Sequence, residues 1–323
     1  MSHRVVITRP LPGDPAARFK DAGFEDVWVN PKDAKLTTKE LHKQIKGAHA
    51  IITTPADNVD KAFFEAAGPD LKVVSNYAVG YDNIDLDEAK ARNVAVGHTP
   101  IAVTEPTAEL TWLLLLAAAR RAREGMDLVR SGKWKGVSPN ELLGHRVTGK
   151  TLFIIGAGRI GYAVARRAPG YRMKVIYRAR DDRDHFDRRP INAIRVGLEE
   201  GLAQADFISL HVPKNSSTYH MINAERLAMM KPTAVLVNTS RGSVIDEAAL
   251  YEALKDGKIA AAGLDVFENE PKLHPGLADL PNVFVTPHIG SATEEDRIWM
   301  TGIAMNNVIS FLRGQRPPHL VSG

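Results

Sequence analysis

The chain has no cysteine among its 323 residues. Disulfide bonds, a thiolate nucleophile and a zinc site with cysteine ligands are therefore excluded, and the composition fits a reducing compartment. Long hydrophobic runs are also missing, because the most apolar one, LTWLLLLAAA at 110–119, is too short to span a bilayer and favours a buried helix. The first residues, MSHRVVITRP, lead directly into a strand pattern and contain no secretory signal. We therefore expect a cytoplasmic protein with no membrane partner.

The charge of the chain is small, with Lys+Arg 42 against Asp+Glu 38 and a formal net charge of +4. The basic residues are spread along the sequence and lack the interleaved aromatic residues of a nucleic-acid site. No nucleic-acid partner and no metal site are expected. The length and the hydrophobic content of 44% instead indicate a globular protein of about two domains.

Short β-branched runs alternate with amphipathic stretches, which is the pattern of parallel α/β layers. The runs fall into two sets separated by about fifty residues, so the sequence predicts an α/β fold with two doubly wound parallel sheets. The predicted strands are 4–8, 26–29, 49–53, 72–77 and 94–96 in the first set, and 151–155, 173–177, 206–212, 233–238, 261–266 and 282–287 in the second.

Two helices stand out from this pattern. Pro106 suits a first helical turn, and we predict a helix from there to about Arg123, followed by a loop with several glycines. After His288, apolar residues recur at helical spacing and predict a C-terminal helix. We expect this last helix to return to the first domain, which makes that domain discontinuous.

The strongest local motif is FIIGAGRIG, in which Gly156, Gly158 and Gly161 have G-x-G-x-x-G spacing between a predicted strand and a helix. The first glycine permits a tight turn, the second lets the backbone approach a pyrophosphate, and the third allows the helix to pack closely on the sheet. Pyrophosphate oxygens can accept hydrogen bonds from N–H groups at the start of the helix. The motif therefore predicts a dinucleotide cofactor.

The segment VIYRARDD at 175–182 indicates which dinucleotide is preferred. An NAD-type site has an acid about 20 residues after the glycines to bind the ribose 2′-OH, but the matching position here is close to Ala179. Arg178 and Arg180 flank it and can make charge-assisted contacts with the 2′-phosphate of NADP. The competing interpretation is that the two arginines pair with Asp181 and Asp182 in solvent. We favour NADPH over NADH, with NADH still usable and Arg180 more important than Arg178.

Charged residues follow three predicted strands of the second sheet. Arg241 comes after one strand, Asp265 and Glu270 after the next, and His288 after the third. Ligands of open α/β sheets bind at the carboxyl ends of strands, so these residues can converge although they are distant in sequence. Each alone is better explained as a surface or loop residue. Their succession after a Gly-rich turn favours a catalytic site.

The chain as a whole resembles the D-2-hydroxyacid dehydrogenases, and among them it is most similar to glyoxylate/hydroxypyruvate reductases. The resemblance rests on SNYAVGYDNID, VTEPTAELTWLLLLAAAR, GAGRIG, NTSRGSVIDE, AGLDVFENEP and TPHIGSAT, which occur in this order. It implies a flavodoxin-like substrate domain formed by 1–98 and 287–323, a Rossmann coenzyme domain at 99–286 inserted in it, a cleft between the two, and a homodimer. The apolar run at 110–119 fits a subunit interface, although burial within one chain competes as an explanation.

The resemblance also implies a role for each catalytic residue. Arg241 would bind the carboxylate of a 2-oxo acid and polarise its carbonyl. His288 would protonate the carbonyl oxygen as hydride arrives. Glu270 would orient the imidazole and favour its protonated form.

Further positions match substrate and cofactor contacts of the family. Backbone N–H groups of Val79 and Gly80 would hold the substrate carboxylate, and Ser291 would lie close to the substrate. The implied cofactor contacts are Gly156, Ala157, Gly158, Arg159, Ile160, Gly161, Val212, Pro213, Thr239 and Asp265, the last of them at the nicotinamide end.

Two other functions remain open at this stage. A phosphoglycerate-dehydrogenase-like enzyme would share the chemistry, but many of that group carry an extra regulatory domain and only 35 residues follow His288 here. A nucleotide-sensing co-repressor can also retain the three catalytic residues. The chain departs from the family pattern at Phe153, Pro169 and His98, where Gly, a continuing helix and Asn are frequent. We interpret all three as structural.

Overall fold

The computed structural model describes residues 3–321 of the chain. The chain separates into two compact units. The first contains the described residues up to Val103 and from Ser291 onward, and the second is Thr104–Gly290. Among residues 3–321, no helix is both long enough and apolar enough to cross a membrane.

The strands include every one predicted from the sequence and one more, β8. They are β1 (Val5–Ile7), β2 (Val27–Val29), β3 (Ala50–Thr53), β4 (Val73–Asn76), β5 (Ala95–Gly97), β6 (Thr151–Ile155), β7 (Lys174–Arg178), β8 (Ile194–Arg195), β9 (Phe207–Leu210), β10 (Val235–Asn238), β11 (Ala261–Leu264) and β12 (Val283–Val285).

The helices connect these strands in the alternating order of parallel α/β folds. They are α1 (Pro15–Asp21), α2 (Thr38–Ile45), α3 (Lys61–Ala67), α4 (Leu86–Ala91), α5 (Thr104–Ala119), α6 (Ala122–Arg130), α7 (Arg159–Ala165), α8 (Asp184–Asp187), α9 (Leu198–Gln204), α10 (Ala224–Ala228), α11 (Glu247–Lys255) and α12 (Glu294–Leu312).

The first unit has a five-stranded parallel sheet in the order β2-β1-β3-β4-β5, which is the flavodoxin-like order. The central strands β1, β3 and β4 are fully buried, whereas the edge strand β2 is only partly buried. Helix α12 packs on β3 and β4, while α2 and α3 contribute Leu41, Ile45, Phe63 and Phe64 to a core on the sheet. The C-terminal helix therefore belongs to the same unit as the N-terminal strands.

The second unit has a seven-stranded parallel sheet in the order β12-β11-β10-β9-β6-β7-β8. Counted from β6, this is the Rossmann order 3-2-1-4-5-6 with one strand added at the end. Alternate residues of β6 point to opposite faces, as the period of a strand requires. Leu152 and Ile154 join the core under α5 and α7, whereas Phe153 and Ile155 join the core under α9 and α11.

The prediction of one continuous helix from Pro106 to about Arg123 is wrong, because two helices occupy this range. Helix α5 ends at Ala119, and α6 begins at Ala122 after Arg121 adopts a left-handed conformation with φ 53°. The Arg121 guanidinium is held 2.7 Å from the Glu124 carboxylate, which stabilises the start of the new helix. No glycine or proline marks this break, so the sequence pattern did not indicate it.

Candidate active site

A histidine and a glutamate form a close pair at the carboxyl edge of the second sheet. His288 Nδ1 lies 2.7 Å from Glu270 Oε2. Glu270 follows β11 and His288 follows β12, and these parallel strands are neighbours, so their carboxyl ends meet at one edge. Both side chains are partly exposed, at 42% for His288 and 35% for Glu270. Both side chains are therefore within reach of solvent and of a ligand.

The local surroundings hold Glu270 in its ionised form. Its second oxygen, Oε1, accepts a hydrogen bond of 3.0 Å from the backbone N–H of Phe267. Burial alone would raise the pKa of Glu270, but the hydrogen bond and charge of His288, the Phe267 N–H and the charge of Arg241 outweigh it and lower this pKa below 4.5. An anionic carboxylate therefore faces the imidazole throughout the neutral pH range.

Arg241 stands at the end of the neighbouring strand β10, so the three predicted catalytic residues follow three adjacent strands. The Arg241 guanidinium donates to the carbonyl of Ser240 at 2.8 Å. The backbone carbonyl of Arg241 accepts from the Asn238 side chain at 2.9 Å. Gly242 allows the turn to approach the Glu270 loop, because a Cβ there would lie 1.8 Å from the Phe267 carbonyl carbon. The positive charge and the dyad therefore lie within electrostatic reach of each other.

Asp265 fastens the loop that carries His288. It is buried at 1% exposure, and its carboxylate accepts from Thr286 Oγ1 at 2.6 Å, Ile289 N at 2.8 Å and Gly290 N at 2.8 Å. The His288 N–H donates to the Asp265 carbonyl at 2.9 Å. Burial raises the pKa of Asp265, and these hydrogen bonds offset the effect only in part. These contacts explain why residues 287–290, which the sequence placed with the first domain, are part of the second unit.

The Gly-rich turn has the shape that a dinucleotide pyrophosphate requires. Gly156 has φ +104°, and a Cβ on it would lie 2.4 Å from the His211 carbonyl oxygen. A Cβ on Gly161 would lie 2.1 Å from the carbonyl oxygen of Gly156, whereas the space beside Gly158 is open. Substitution is therefore blocked at the two packing glycines, and the open position is the one where backbone can approach phosphate. The residues fit a dinucleotide cofactor.

The other cofactor positions predicted from the sequence lie near this turn or along the same edge. Val212 follows β9, and its Cγ1 lies 3.0 Å from the Cβ position of Gly156. Thr239 Oγ1 lies 2.9 Å from Thr111 Oγ1, which itself donates to the Thr107 carbonyl. Thr239 is therefore the donor of the pair. The rest are Ala157, buried in the core; Ile160, packed against it; Arg159, exposed at the start of α7; and Pro213, whose carbonyl accepts from Thr218 at 2.6 Å.

Arg178 and Arg180 lie exposed at the end of β7. Within residues 3–321, neither forms an ion pair with a carboxylate. Asp182 instead pairs with Arg195 at 2.7 Å, and Arg195 also donates to the carbonyls of Arg180 at 2.6 Å and Ala179 at 3.3 Å. The sequence did not single out Arg195, because β8 has only two residues and no periodic pattern.

The loop of Val79 and Gly80 belongs to the first unit, where it follows β4. The carbonyl of Val79 lies 2.9 Å from His98 Nδ1, and the carbonyl of Gly80 accepts from the Asn76 side chain at 2.9 Å. In the described part of the chain, the N–H groups of Val79 and Gly80 donate to no protein acceptor. Two adjacent backbone donors are thus left for an anionic ligand. Ser291, also in this unit, accepts at its carbonyl from Thr293 and Arg297.

Three comparisons place this arrangement among known proteins. Residues 112–290 match the model of the D-isomer specific 2-hydroxyacid dehydrogenase, NAD binding domain. A glyoxylate reductase of Pyrococcus horikoshii is 45% identical over 326 residues, with 100% of this chain and 96% of the relative covered.

Two solved structures agree in fold. One, from Thermus thermophilus, has a TM-score of 0.91 and 43% identity, covering 99% of this chain and 100% of the other. The second, an NADPH-dependent glyoxylate/hydroxypyruvate reductase of Sinorhizobium meliloti in complex with NADP and malonate, has a TM-score of 0.86 and 29% identity, covering 100% and 97%.

Proposed function

Because the chain belongs to the D-isomer specific 2-hydroxyacid dehydrogenase family, we propose that it reduces small 2-oxo acids, glyoxylate and hydroxypyruvate, to 2-hydroxy acids. The observation that carries this proposal is the His288–Glu270 pair at 2.7 Å, with the positive charge of Arg241 near it at the same sheet edge. An imidazole held by a carboxylate is suited to give a proton to a carbonyl oxygen. The glyoxylate reductases among the relatives support the choice of substrates.

In the proposed reaction, each residue acts at a stated atom. The hydride would come from a nicotinamide cofactor held at the Gly-rich turn. Glu270 occupies His288 Nδ1, which leaves Nε2 as the nitrogen that protonates the carbonyl oxygen. Arg241 offers a fork of N–H donors to a carboxylate of the substrate. In the first unit, the N–H groups of Val79 and Gly80 are the backbone donors proposed for the substrate carboxylate.

The decisive test is steady-state oxidation of NADPH with glyoxylate, hydroxypyruvate and phosphohydroxypyruvate. Rapid turnover with the first two supports the reductase. A preference for the phosphorylated acid would replace it with a phosphoglycerate-dehydrogenase-like enzyme. Tight cofactor binding with no turnover of any of the three would replace it with a nucleotide-sensing module.

We further propose that NADPH is preferred over NADH. An acid at the end of β7 would repel the 2′-phosphate, whereas this chain has Ala179 between two exposed arginines. Of the two carboxylates that compete for them, Asp182 is paired with Arg195, and within residues 3–321 Asp181 forms no ion pair with either arginine. Arg178 donates one N–H to the Ala179 carbonyl, and its other donors together with those of Arg180 can make charge-assisted contacts with a phosphate.

The preference is measured as kcat/KM for each coenzyme with glyoxylate. We expect NADPH to be better in the wild type, and we expect the double variant Arg178→Ala/Arg180→Ala to lose most of the discrimination. A matched control is Arg188→Ala/Arg189→Ala, which removes two arginines from the same segment. Equal or better use of NADH by the wild type would overturn the preference, as would unchanged discrimination in the first double variant.

We also propose that the protein forms a homodimer through the segment that follows α5. The apolar run at 110–119 does not carry this proposal, because most of it is buried within its own unit. Helix α6, in contrast, has no buried residue. Exposed apolar side chains continue from it into the loop after it: Met126, Val129, Trp134, Val137 and Leu143. A second copy of the chain would cover them.

A further inference from the structure

The loop with Val79 and Gly80 has two peptide groups whose orientation is fixed by hydrogen bonds. In a trans peptide, the C=O of one residue and the N–H of the next point in opposite directions. The Ala78 carbonyl accepts from the Thr99 N–H at 2.8 Å, which fixes the direction of the Val79 N–H. The Val79 carbonyl accepts from His98 Nδ1 at 2.9 Å, which fixes the direction of the Gly80 N–H.

We propose that His98 is a positioning residue for substrate binding, because its hydrogen bond to Val79 aims the Gly80 N–H at the substrate carboxylate. The inference rests on the proposed function, in which Val79 and Gly80 bind that carboxylate. The Thr99 contact comes from backbone and is independent of residue type. The His98 contact comes from a side chain and acts on the peptide that carries the Gly80 N–H, whereas the Asn76 side chain bonds to the carbonyl of Gly80.

His98 itself is held in place from several directions. Its carbonyl accepts from the Asn307 side chain at 3.1 Å, and its N–H donates to the His319 carbonyl at 3.0 Å. The ring of Tyr81 meets the imidazole edge-on, with centroids 5.9 Å apart. A donor on such a fixed support loses little conformational freedom when it binds a carbonyl.

The identity of the partner shows that His98 Nδ1 carries a hydrogen. A carbonyl oxygen only accepts, so Nδ1 must be the donor. Both the neutral tautomer with hydrogen on Nδ1 and the protonated ring satisfy this requirement. An asparagine side chain also carries N–H donors, which gives a conservative replacement for the test.

The experiment compares His98→Leu and His98→Ala, which have no donor, with His98→Asn, which has one. The measurements are KM and kcat for glyoxylate, and the Kd of oxalate for the enzyme–NADPH complex by calorimetry. Oxalate carries a carboxylate but is not reduced, so its affinity reports on carboxylate binding without the chemical step. We expect the variants without a donor to raise the oxalate Kd and the glyoxylate KM by about three- to tenfold, the worth of one hydrogen bond. We expect kcat and NADPH affinity to change less.

Two controls separate positioning from a general loss of structure. His98→Asn should restore oxalate affinity to within about twofold of the wild type, which a purely structural defect would not do. His49→Ala is the matched control, because the His49 side chain also bonds to a backbone group, the Arg4 N–H at 3.1 Å, at the opposite end of the same sheet. It should leave the oxalate Kd unchanged.

Unchanged oxalate affinity in both variants without a donor would overturn the proposal. So would a His98→Asn variant as weak as His98→Leu. If the wild type reduced no 2-oxo acid, the proposed function would fall, but a loss of oxalate affinity restored by asparagine would still support the role of His98.

Discussion

At the scale of single residues, the dyad depends on charge as well as on distance. The pKa of Glu270 is lowered although burial opposes this, because His288, the Phe267 N–H and Arg241 all favour the carboxylate. A group with a depressed pKa keeps its charge at pH values above that pKa and loses it as the pH falls through it. Glu270 is therefore an anion at neutral pH and places a negative charge beside the His288 ring.

Removal of the imidazole tests the proton donor. His288→Ala should lower kcat for glyoxylate reduction by at least about a hundredfold, the usual contribution of a general acid. The Kd for NADPH should change little, because the Gly-rich turn is on a different part of the sheet edge. Turnover near that of the wild type would remove His288 from the mechanism.

The substitution Glu270→Gln tests the carboxylate that pairs with His288. Glutamine keeps the size of the side chain and removes its charge, so the protonated imidazole loses its anionic neighbour. We expect the alkaline limit of kcat/KM for reduction to move to lower pH, since His288 then gives up its proton more easily. A pH profile that stays in place would show that Glu270 does not act on the imidazole in the working enzyme.

The sequence could point to these residues because they follow neighbouring strands of one parallel sheet, where the topology brings distant segments together. Sequence reasoning expected Asp265 at the nicotinamide end of the cofactor and could not predict that it also holds the loop with His288. Its hydrogen bonds with Thr286, Ile289 and Gly290 depend on how that loop bends. His98 was interpreted as structural for a similar reason. Its partner Val79 is 19 residues away, and only the pairing of β4 with β5 brings them together.

At the scale of elements, strand β8 matters more than its two residues suggest. From this edge strand, Arg195 reaches the Asp182 carboxylate and two carbonyls of the loop after β7. It therefore supports the backbone of that loop and neutralises an acid that would otherwise repel a phosphate. No sequence pattern indicated this contact, because β8 is too short to show one. The longer strand β6, in contrast, was predicted with its observed bounds of 151–155.

Arg195→Ala tests this support. We expect the variant to lower kcat/KM for NADPH by about threefold or more and to leave the value for NADH nearly unchanged, because only NADPH carries the 2′-phosphate that a freed Asp182 repels. Arg195→Ala combined with Asp182→Asn should recover part of the loss. If Arg195→Ala lowered kcat/KM equally for both coenzymes, Arg195 would support the fold and not the preference for NADPH.

A departure from the family pattern in the same sheet is explained by packing. Phe153 occupies a position where the resemblance leads one to expect glycine, and a glycine faces it on the neighbouring helix. A Cβ on Gly201 of α9 would lie 2.3 Å from the Phe153 ring. The small residue on the helix therefore makes room for the large side chain on the strand, and the core stays filled.

At the scale of the whole molecule, the question is how the exposed apolar segment is covered. Val137 is 96% exposed and Trp134 is 53% exposed, and both lie in a loop that contributes little to the core of its unit. Exposed apolar groups in a contiguous segment usually mark an interaction surface. The sequence pattern pointed instead to the run at 110–119, because composition alone cannot tell a helix buried in its own unit from one buried between subunits.

Light scattering at micromolar concentration tests the assembly. The wild type should have twice the 35.4 kDa mass of one chain. The double variant Val129→Lys/Val137→Lys should shift the mass toward that of one chain, because two desolvated lysines at an apolar contact are costly. Trp299→Lys, which changes an exposed aromatic residue on α12, is the control and should leave the mass unchanged. A wild-type mass of 35.4 kDa would refute the dimer, and a double variant that retained the full dimer mass would place the interface on another surface.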